Sequence, residues 1–310
     1  MTRRSLFSSL FGASLLSVAL LAQAPAGAPP QAPAGAPPPG GRGPAAPPML
    51  QTQKVKDNLY VITGGGGNST VFITENNGVV VIDAKNPGVG KLLLEQISKI
   101  TTQPVTMLIN SHTHADHTGG NVDFPVTTRF VAHVNTRTNM QKMDQFQGDN
   151  TKFLPTQVFQ DKISLFSGTD RIDLYYFGPG GTNGDSWIVI PSLRLLIGAD
   201  NFNKGLTLLD GMNGGSAKAF QQTLARVASE IKNVDTVVTG HGGVLTWNDF
   251  LEFTQLTNDF YTWVRAQKAA GKPVEQTAME WQTPAKYVGY APTNPMFLQR
   301  IVQVVYSEAP

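Results

Sequence analysis

Residues 110–120 read NSHTHADHTGG and follow directly on the apolar run VTMLI at 105–109. The chain holds five histidines, and three of them, His112, His114 and His117, fall in this one stretch. A short run of aliphatic and β-branched residues bounded by turn-forming residues predicts a buried strand that ends where the histidines begin. His112 and His114 are two apart, so in extended chain both imidazoles project to one side and can grip one ion. Asp116 and His117 follow at the turn and face a neighbouring position. Imidazole and carboxylate donors in a chain without cysteine suit zinc, with iron and manganese as alternatives.

Further ligands must come from other strand ends. LRLLIGAD puts Asp200 immediately after an apolar run, and DTVVTGHGG does the same for His241. The remaining pattern supplies the frame for such ends. NLYVIT, STVFITE and GVVVIDA read as consecutive antiparallel strands separated by GGGGN and ENNG turns. VGKLLLEQISKI has helical spacing and leads into the strand PVTMLIN; RFVAHV is a strand and VNTRTNMQKMDQF a helix. KISLF, DRIDLYYF, WIVIP and LRLLIGA form a second meander, followed by a helix over Ser216–Lys232, the strand DTVVTG, a long helix over Thr246–Ala270 capped by Thr246 or Asn248, and a terminal helix over Asn294–Ser307. Two halves, each a sheet with helices, predict an α/β (α+β) chain folded as a four-layer αββα sandwich. A doubly wound dinucleotide fold is excluded, because Gly64–Gly67 sits between two strands rather than between a strand and a helix.

The set H-x-H-x-D-H, G-A-D and G-H-G, carried by His112, His114, Asp116, His117, Asp200 and His241, resembles the metallo-β-lactamase superfamily over roughly Lys54 to Phe253. The resemblance implies the αββα sandwich and one or two zinc ions. The first position takes His112 and His114, the second Asp116, His117 and His241, and Asp200 bridges them. It further implies a metal-dependent hydrolase in which a metal-bound hydroxide is the nucleophile and Asp116 orients it or carries a proton to the leaving group. The excess positive charge of such a centre favours an anionic substrate.

Gly178–Asp185, GPGGTNGD, departs from the family's pattern. Thr182, Gly184 and Asp185 fit a G-x-x-H-T-x-G-D-like stretch, but Gly181 stands where a third histidine of the first position belongs. Four outcomes stay open: one metal at the second position; two metals with the first completed by water, Asn183 or substrate; completion by His133; or a catalytically impaired metal-binding protein of the same fold. A phosphate cradle is excluded by the strand that follows the glycines. Asp200 at the bridging position is similar to glyoxalase-, lactonase- and esterase-like members, which points to an ester, lactone, thioester or amide, with a β-lactam as a narrower alternative. Lys204 is a candidate for a substrate carboxylate. Trp247, Phe250, Phe253, Phe260, Tyr261 and Trp263 are read mostly as core, with one or two as candidates to line a pocket.

Residues 1–24, MTRRSLFSSLFGASLLSVALLAQA, carry two arginines, an apolar run and a small-x-small end, the pattern of a Sec or twin-arginine export signal. Residues 25–48 are rich in proline, alanine and glycine and read as a disordered linker, leaving 49–310 as the folded domain with a C-terminal helical extension. The expectation is a periplasmic or secreted protein without a stable membrane span after signal cleavage. Setting aside Arg3, Arg4 and Arg42 leaves 21 basic against 22 acidic residues, a balance that argues against a nucleic-acid partner and for a small-molecule substrate.

Overall fold

A computed structural model describes residues 48–290 and 294–308; the expected signal segment and nearly all of the expected linker lie outside them. β1 (Gln51–Lys56), β2 (Leu59–Thr63), β3 (Ser69–Ile73) and β4 (Val79–Ile82) form an antiparallel meander. α1 (Gly90–Ser98) then carries the chain to β5 (Val105–Asn110), parallel to β4, and β6 (Arg129–His133) and β7 (Gln157–Phe159) extend the parallel half. The seven strands lie in the order of the sequence, with α2 (Ala115–Thr118) and α3 (Val134–Met140) in the connections.

The second sheet has six strands in the order β13-β12-β11-β10-β9-β8. β8 (Lys162–Leu165), β9 (Ile172–Tyr175), β10 (Trp187–Ile190) and β11 (Leu195–Ala199) are antiparallel neighbours. α4 (Ala217–Glu230) crosses to β12 (Thr236–Thr239), parallel to β11, and β13 (Val244–Thr246) pairs antiparallel at the edge. α5 (Trp247–Ala269), α6 (Val274–Glu280) and α7 (Pro295–Ser307) follow.

Side chains alternate between strand faces, and that period of two builds the layers. Val80 and Ile82 of β4, Ile188 and Ile190 of β10 and Leu195 and Ile197 of β11 meet in the core between the sheets. Val79 and Val81 turn the other way, toward Leu93 and Ile97 of α1, while Trp187 and Leu196 turn toward Phe220 and Leu224 of α4 and Phe250 and Phe253 of α5. The result is the expected αββα sandwich. In α5, Thr246 and Asp249 form a reciprocal capping box. A cap contributes about 1 kcal/mol, whereas each buried Phe of this helix contributes about 1.5–3 kcal/mol, so packing on the sheet is what holds α5 in place.

The sequence reading missed five of these elements. β1 is mostly polar and exposed at a sheet edge, β7 and β13 have three residues each, α6 has seven, and α2, read as a turn, has four. None is long enough or apolar enough to show a period. The helix expected through Phe146 stops at Met140, and the chain continues in 3₁₀ turns at Asp144–Phe146 and Gly148–Phe153. No described helix is long and apolar enough to cross a membrane.

A candidate metal centre at the sheet edges

The carboxyl ends of the parallel pairs β4/β5 and β11/β12 open at the same edge of the sandwich, which is where the sequence places Asp83, Asn110–His117, Asp200 and His241. Asn68 ties the two sheets there: its amide N–H donates to Gly240 O at 2.7 Å, and its Nδ2 donates to Thr239 O at 2.9 Å and Gly242 O at 3.0 Å.

The expected site residues converge. His112 Nε2 lies 3.0 Å from His114 Nδ1 and 3.5 Å from Asp200 Oδ2, and His114 Nδ1 is 4.0 Å from that same oxygen. His117 Nε2 is 3.5 Å from Asp116 Oδ2 and 3.3 Å from His241 Nε2, which is itself 3.0 Å from Asp116 Oδ2. Asp200 Oδ1 reaches toward this second group, 3.1 Å from His117 Nε2 and 3.6 Å from His241 Nε2. The two groups, His112/His114/Asp200 and Asp116/His117/His241, each hold their donor atoms close enough to share one ion.

Local chemistry of the chain sets each side chain. The four residues from Gly64 form a turn, as expected, but it also packs on the site: Gly67 N donates to Asp116 O at 3.0 Å, and a Cβ at Gly67 would enter the His117 imidazole. A Cβ at Gly240 would collide with Asp200 Oδ1. Lys85, fully buried, donates from Nζ to Ile62 O at 2.5 Å and Gly67 O at 2.7 Å and so fixes that turn against β2. Burial brings its pKa down to about 7 against the opposing pull of Asp83.

Two carboxylates unforeseen from the sequence orient the imidazoles. Asp83, buried, lies 2.8 Å from His117 Nδ1 and also accepts from Ser111 N at 2.8 Å and Ser111 Oγ at 2.6 Å, while that hydroxyl lies 3.0 Å from His112 Nδ1. Asp210 Oδ2 lies 3.2 Å from His114 Nε2. A proton on His117 Nδ1 and on His114 Nε2 leaves the opposite ring nitrogen of each turned into the site. The signal for Asp83 was its place right after the strand GVVVI, the same position that identified Asp200. Asp210 lies in an irregular loop and had no such signal.

The electrostatics fit a cation. Burial works against charge on His117, yet Asp200 and Asp83 raise its pKa well above the ordinary histidine value. Burial likewise opposes charge on His114, and Asp200 and Asp210 raise it to about 9. Burial also opposes ionisation of Asp200 and Asp116, but His117 and His112 hold Asp200 far below the usual carboxylate range, and His241 and His117 bring Asp116 down to about 2. Asp200 Oδ1 is shut off from solvent with no well-directed hydrogen bond to satisfy it, His117 notwithstanding. A buried, unsatisfied carboxylate oxygen between two clusters of imidazoles is the donor set that a divalent ion completes.

Gly178–Asp185 forms one wall. Thr182 donates from its hydroxyl and, at 2.8 Å, from its amide to the buried Asp185, whose pKa is raised by that burial. A Cβ at Gly181 would stand 3.0 Å from Leu208 O and 3.5 Å from Asp185 Oδ2, so the 206–210 segment lies over the position. Asn183 and His133 do not join the site. Asn183 accepts at Oδ1 from Asn139 Nδ2 at 2.9 Å, and His133 Nε2 lies 2.8 Å from Gln160 O with its ring stacked on Tyr176. Lys204 borders the cavity over the site but is engaged: Nζ is 2.6 Å from Asp249 Oδ1 and 3.2 Å from Glu252 Oε2. Phe250, Phe253, Phe260 and Tyr261 are core, and Trp247 and Trp263 pack against it; among the described residues, Phe297 of α7 is the Phe, Tyr or Trp that lines the cavity.

Comparison with known proteins bears on the family and the fold. The chain is 26% identical over 212 residues to a metallo-beta-lactamase type 2 of Elizabethkingia meningoseptica, covering 65% of this chain and 81% of that protein. It is also 26% identical over 164 residues to the 2,4-dinitroanisole O-demethylase subunit alpha of Nocardioides sp., covering 52% of this chain and 48% of the relative, so it spans about half of that protein. Among solved structures, a stereoselective inverting sec-alkylsulfatase of Pseudomonas sp. superposes with a TM-score of 0.66 at 14% identity, over 83% of this chain and 50% of that one. A metallo-beta-lactamase from Pontibacter korlensis superposes with a TM-score of 0.56 at 19% identity, over 68% of this chain and all of that one. The family model of the metallo-beta-lactamase superfamily matches residues 62–241, which hold all six converging residues. The chain belongs to the metallo-beta-lactamase superfamily.

Proposed function

We propose that this protein is an exported, zinc-dependent hydrolase of an ester, lactone, thioester or amide carbonyl. The observation that carries the reading is the pair of donor groups joined through the two oxygens of Asp200. His112, His114 and Asp200 would hold one ion; Asp116, His117 and His241, with Asp200, would hold the other. Bound there, zinc would supply a Lewis acid that acidifies water and polarises the carbonyl oxygen under attack. Asp83 and Asp210 keep the proton of His117 on Nδ1 and that of His114 on Nε2, so that both imidazoles present a lone pair inward. Asp116 is ionised at neutral pH and turned toward His241, which suits it to hold a cation and to orient water as a hydrogen-bond acceptor. The export reading rests on residues 1–24.

The first group reaches three donors through Asp200, which supports catalysis despite Gly181. The test strips the protein of metal, reloads it with zinc, and assays an ester, a lactone, a thioester and a β-lactam with wild type, His117→Ala and Gly181→His. Zinc is expected to restore turnover in the wild type, His117→Ala to abolish it, and Gly181→His to add little, because Leu208 O must give way to its Cβ. Turnover unaffected by stripping contradicts the reading. A silent wild type with an active Gly181→His shows instead a metal-binding protein impaired at its first position.

A further inference from the structure

The cavity above the candidate metal centre has a volume of about 630 Å³, room for a substrate well beyond the reacting carbonyl. Its lining holds the site histidines and carboxylates together with an apolar set, Leu206, Leu208, Leu245 and Phe297. Phe297 comes from α7, beyond the residues that the family model matches, so part of this lining belongs to the C-terminal extension of this chain.

Among the described residues lining the cavity, Lys204 is the one lysine or arginine. Its ammonium sits against two carboxylates, Asp249 at 2.6 Å and Glu252 at 3.2 Å, and 4.7 Å from the centroid of the Tyr290 ring. Lys204, Asp249 and Glu252 together carry one net negative charge, so the lysine offers an incoming anion no net attraction. A carboxylate placed against the leucines and Phe297 would lose water without gaining a partner, which is costly.

We infer that the substrate is uncharged and apolar in the group that packs against the cavity's apolar lining: an ester, lactone or amide with an alkyl or aryl group lying on Leu206, Leu208, Leu245 and Phe297, rather than one that carries a carboxylate there. The inference names the substrate class for the hydrolase reading and rests on it for turnover, but it also makes a statement about binding that can be tested separately.

The test uses two pairs matched in length and differing in one terminal carboxylate. The purified full chain is assayed for hydrolysis of p-nitrophenyl hexanoate against mono-p-nitrophenyl adipate, and for calorimetric binding of N-phenylhexanamide against adipic acid monoanilide. The neutral member is expected to be favoured by about tenfold or more in kcat/KM and in Kd. Glu252→Gln, which removes one of the charges neutralising Lys204, is expected to narrow that gap by improving the carboxylate member, and Phe297→Ala to narrow it by weakening the neutral one. Equal handling of the two members, preference for the carboxylate, or binding of neither anilide overturns the inference. If neither ester is hydrolysed while the neutral anilide still binds preferentially, the hydrolase reading fails and the specificity stands.

Discussion

Asp83→Asn is the sharpest perturbation of the proposed centre, because it changes one charge in a buried group and leaves the volume almost unchanged. Asp83 is 2% exposed, lies 2.8 Å from His117 Nδ1, and accepts both the amide and the hydroxyl of Ser111. An amide offers a single acceptor oxygen to these three donors, and its NH₂ must face one of them. The lost charge-assisted bond is worth about 1.5–3 kcal/mol, and removal of such an outer partner costs about 10- to 100-fold in metal affinity. The loss should be unequal. His117 touches Asp83 directly, whereas His112 feels it only through Ser111 Oγ, 3.0 Å from its Nδ1. In a zinc titration against a chromophoric chelator at neutral pH, one binding step should weaken by about 10- to 100-fold and the other by less than about threefold. Circular dichroism would establish that the variant is folded. Two steps weakened alike, or neither weakened beyond threefold in the folded variant, would refute the assignment of Asp83 to His117.

Asp210→Asn should act on the other step, weakening it by about tenfold through His114, and a chelator titration that shows the Asp83→Asn pattern again would contradict this. In the metal-free protein His114 keeps its proton to about pH 9 because Asp200 and Asp210 outweigh burial. Metal must displace that proton, so affinity should rise by roughly tenfold or more per pH unit from about 6.5 to 9; a flat profile over that range argues against His114 as a ligand. Gly67→Ala puts a methyl into the His117 ring, and overpacking of this kind costs about 1–3 kcal/mol. A lower melting temperature with reduced bound zinc is expected, and unchanged values for both would show that the turn does not press on the site.

The six convergent residues were legible because each stands at a strand end and the strands have strong apolar patterns: VTMLI before the histidines, LRLLIGA before Asp200, DTVVT before His241. The same patterns gave the two sheets and the long helices. Their outer partners were harder to see. Asp83 follows GVVVI as Asp200 follows its strand, but with no family motif attached it was read only as part of the strand run GVVVIDA, and Asp210, in an irregular loop, reaches His114 across 96 positions of sequence. The partners of Lys204 were hidden for a related reason. Its position four residues after Asp200 suggested a role in substrate binding, while its partners Asp249 and Glu252 lie on a helix that begins over 40 residues later. Edge strands and short helices were lost because three to seven residues, or a polar strand like QTQKVK, carry no period to read.

The central claim, that Asp200 joins two metal positions, is tested most directly by anomalous scattering at the zinc edge from crystals of the zinc-loaded protein. The account predicts two peaks, one among His112, His114 and Asp200 and one among Asp116, His117, His241 and Asp200. A zinc-loaded crystal with a peak at only one group of side chains, or at neither, would contradict it.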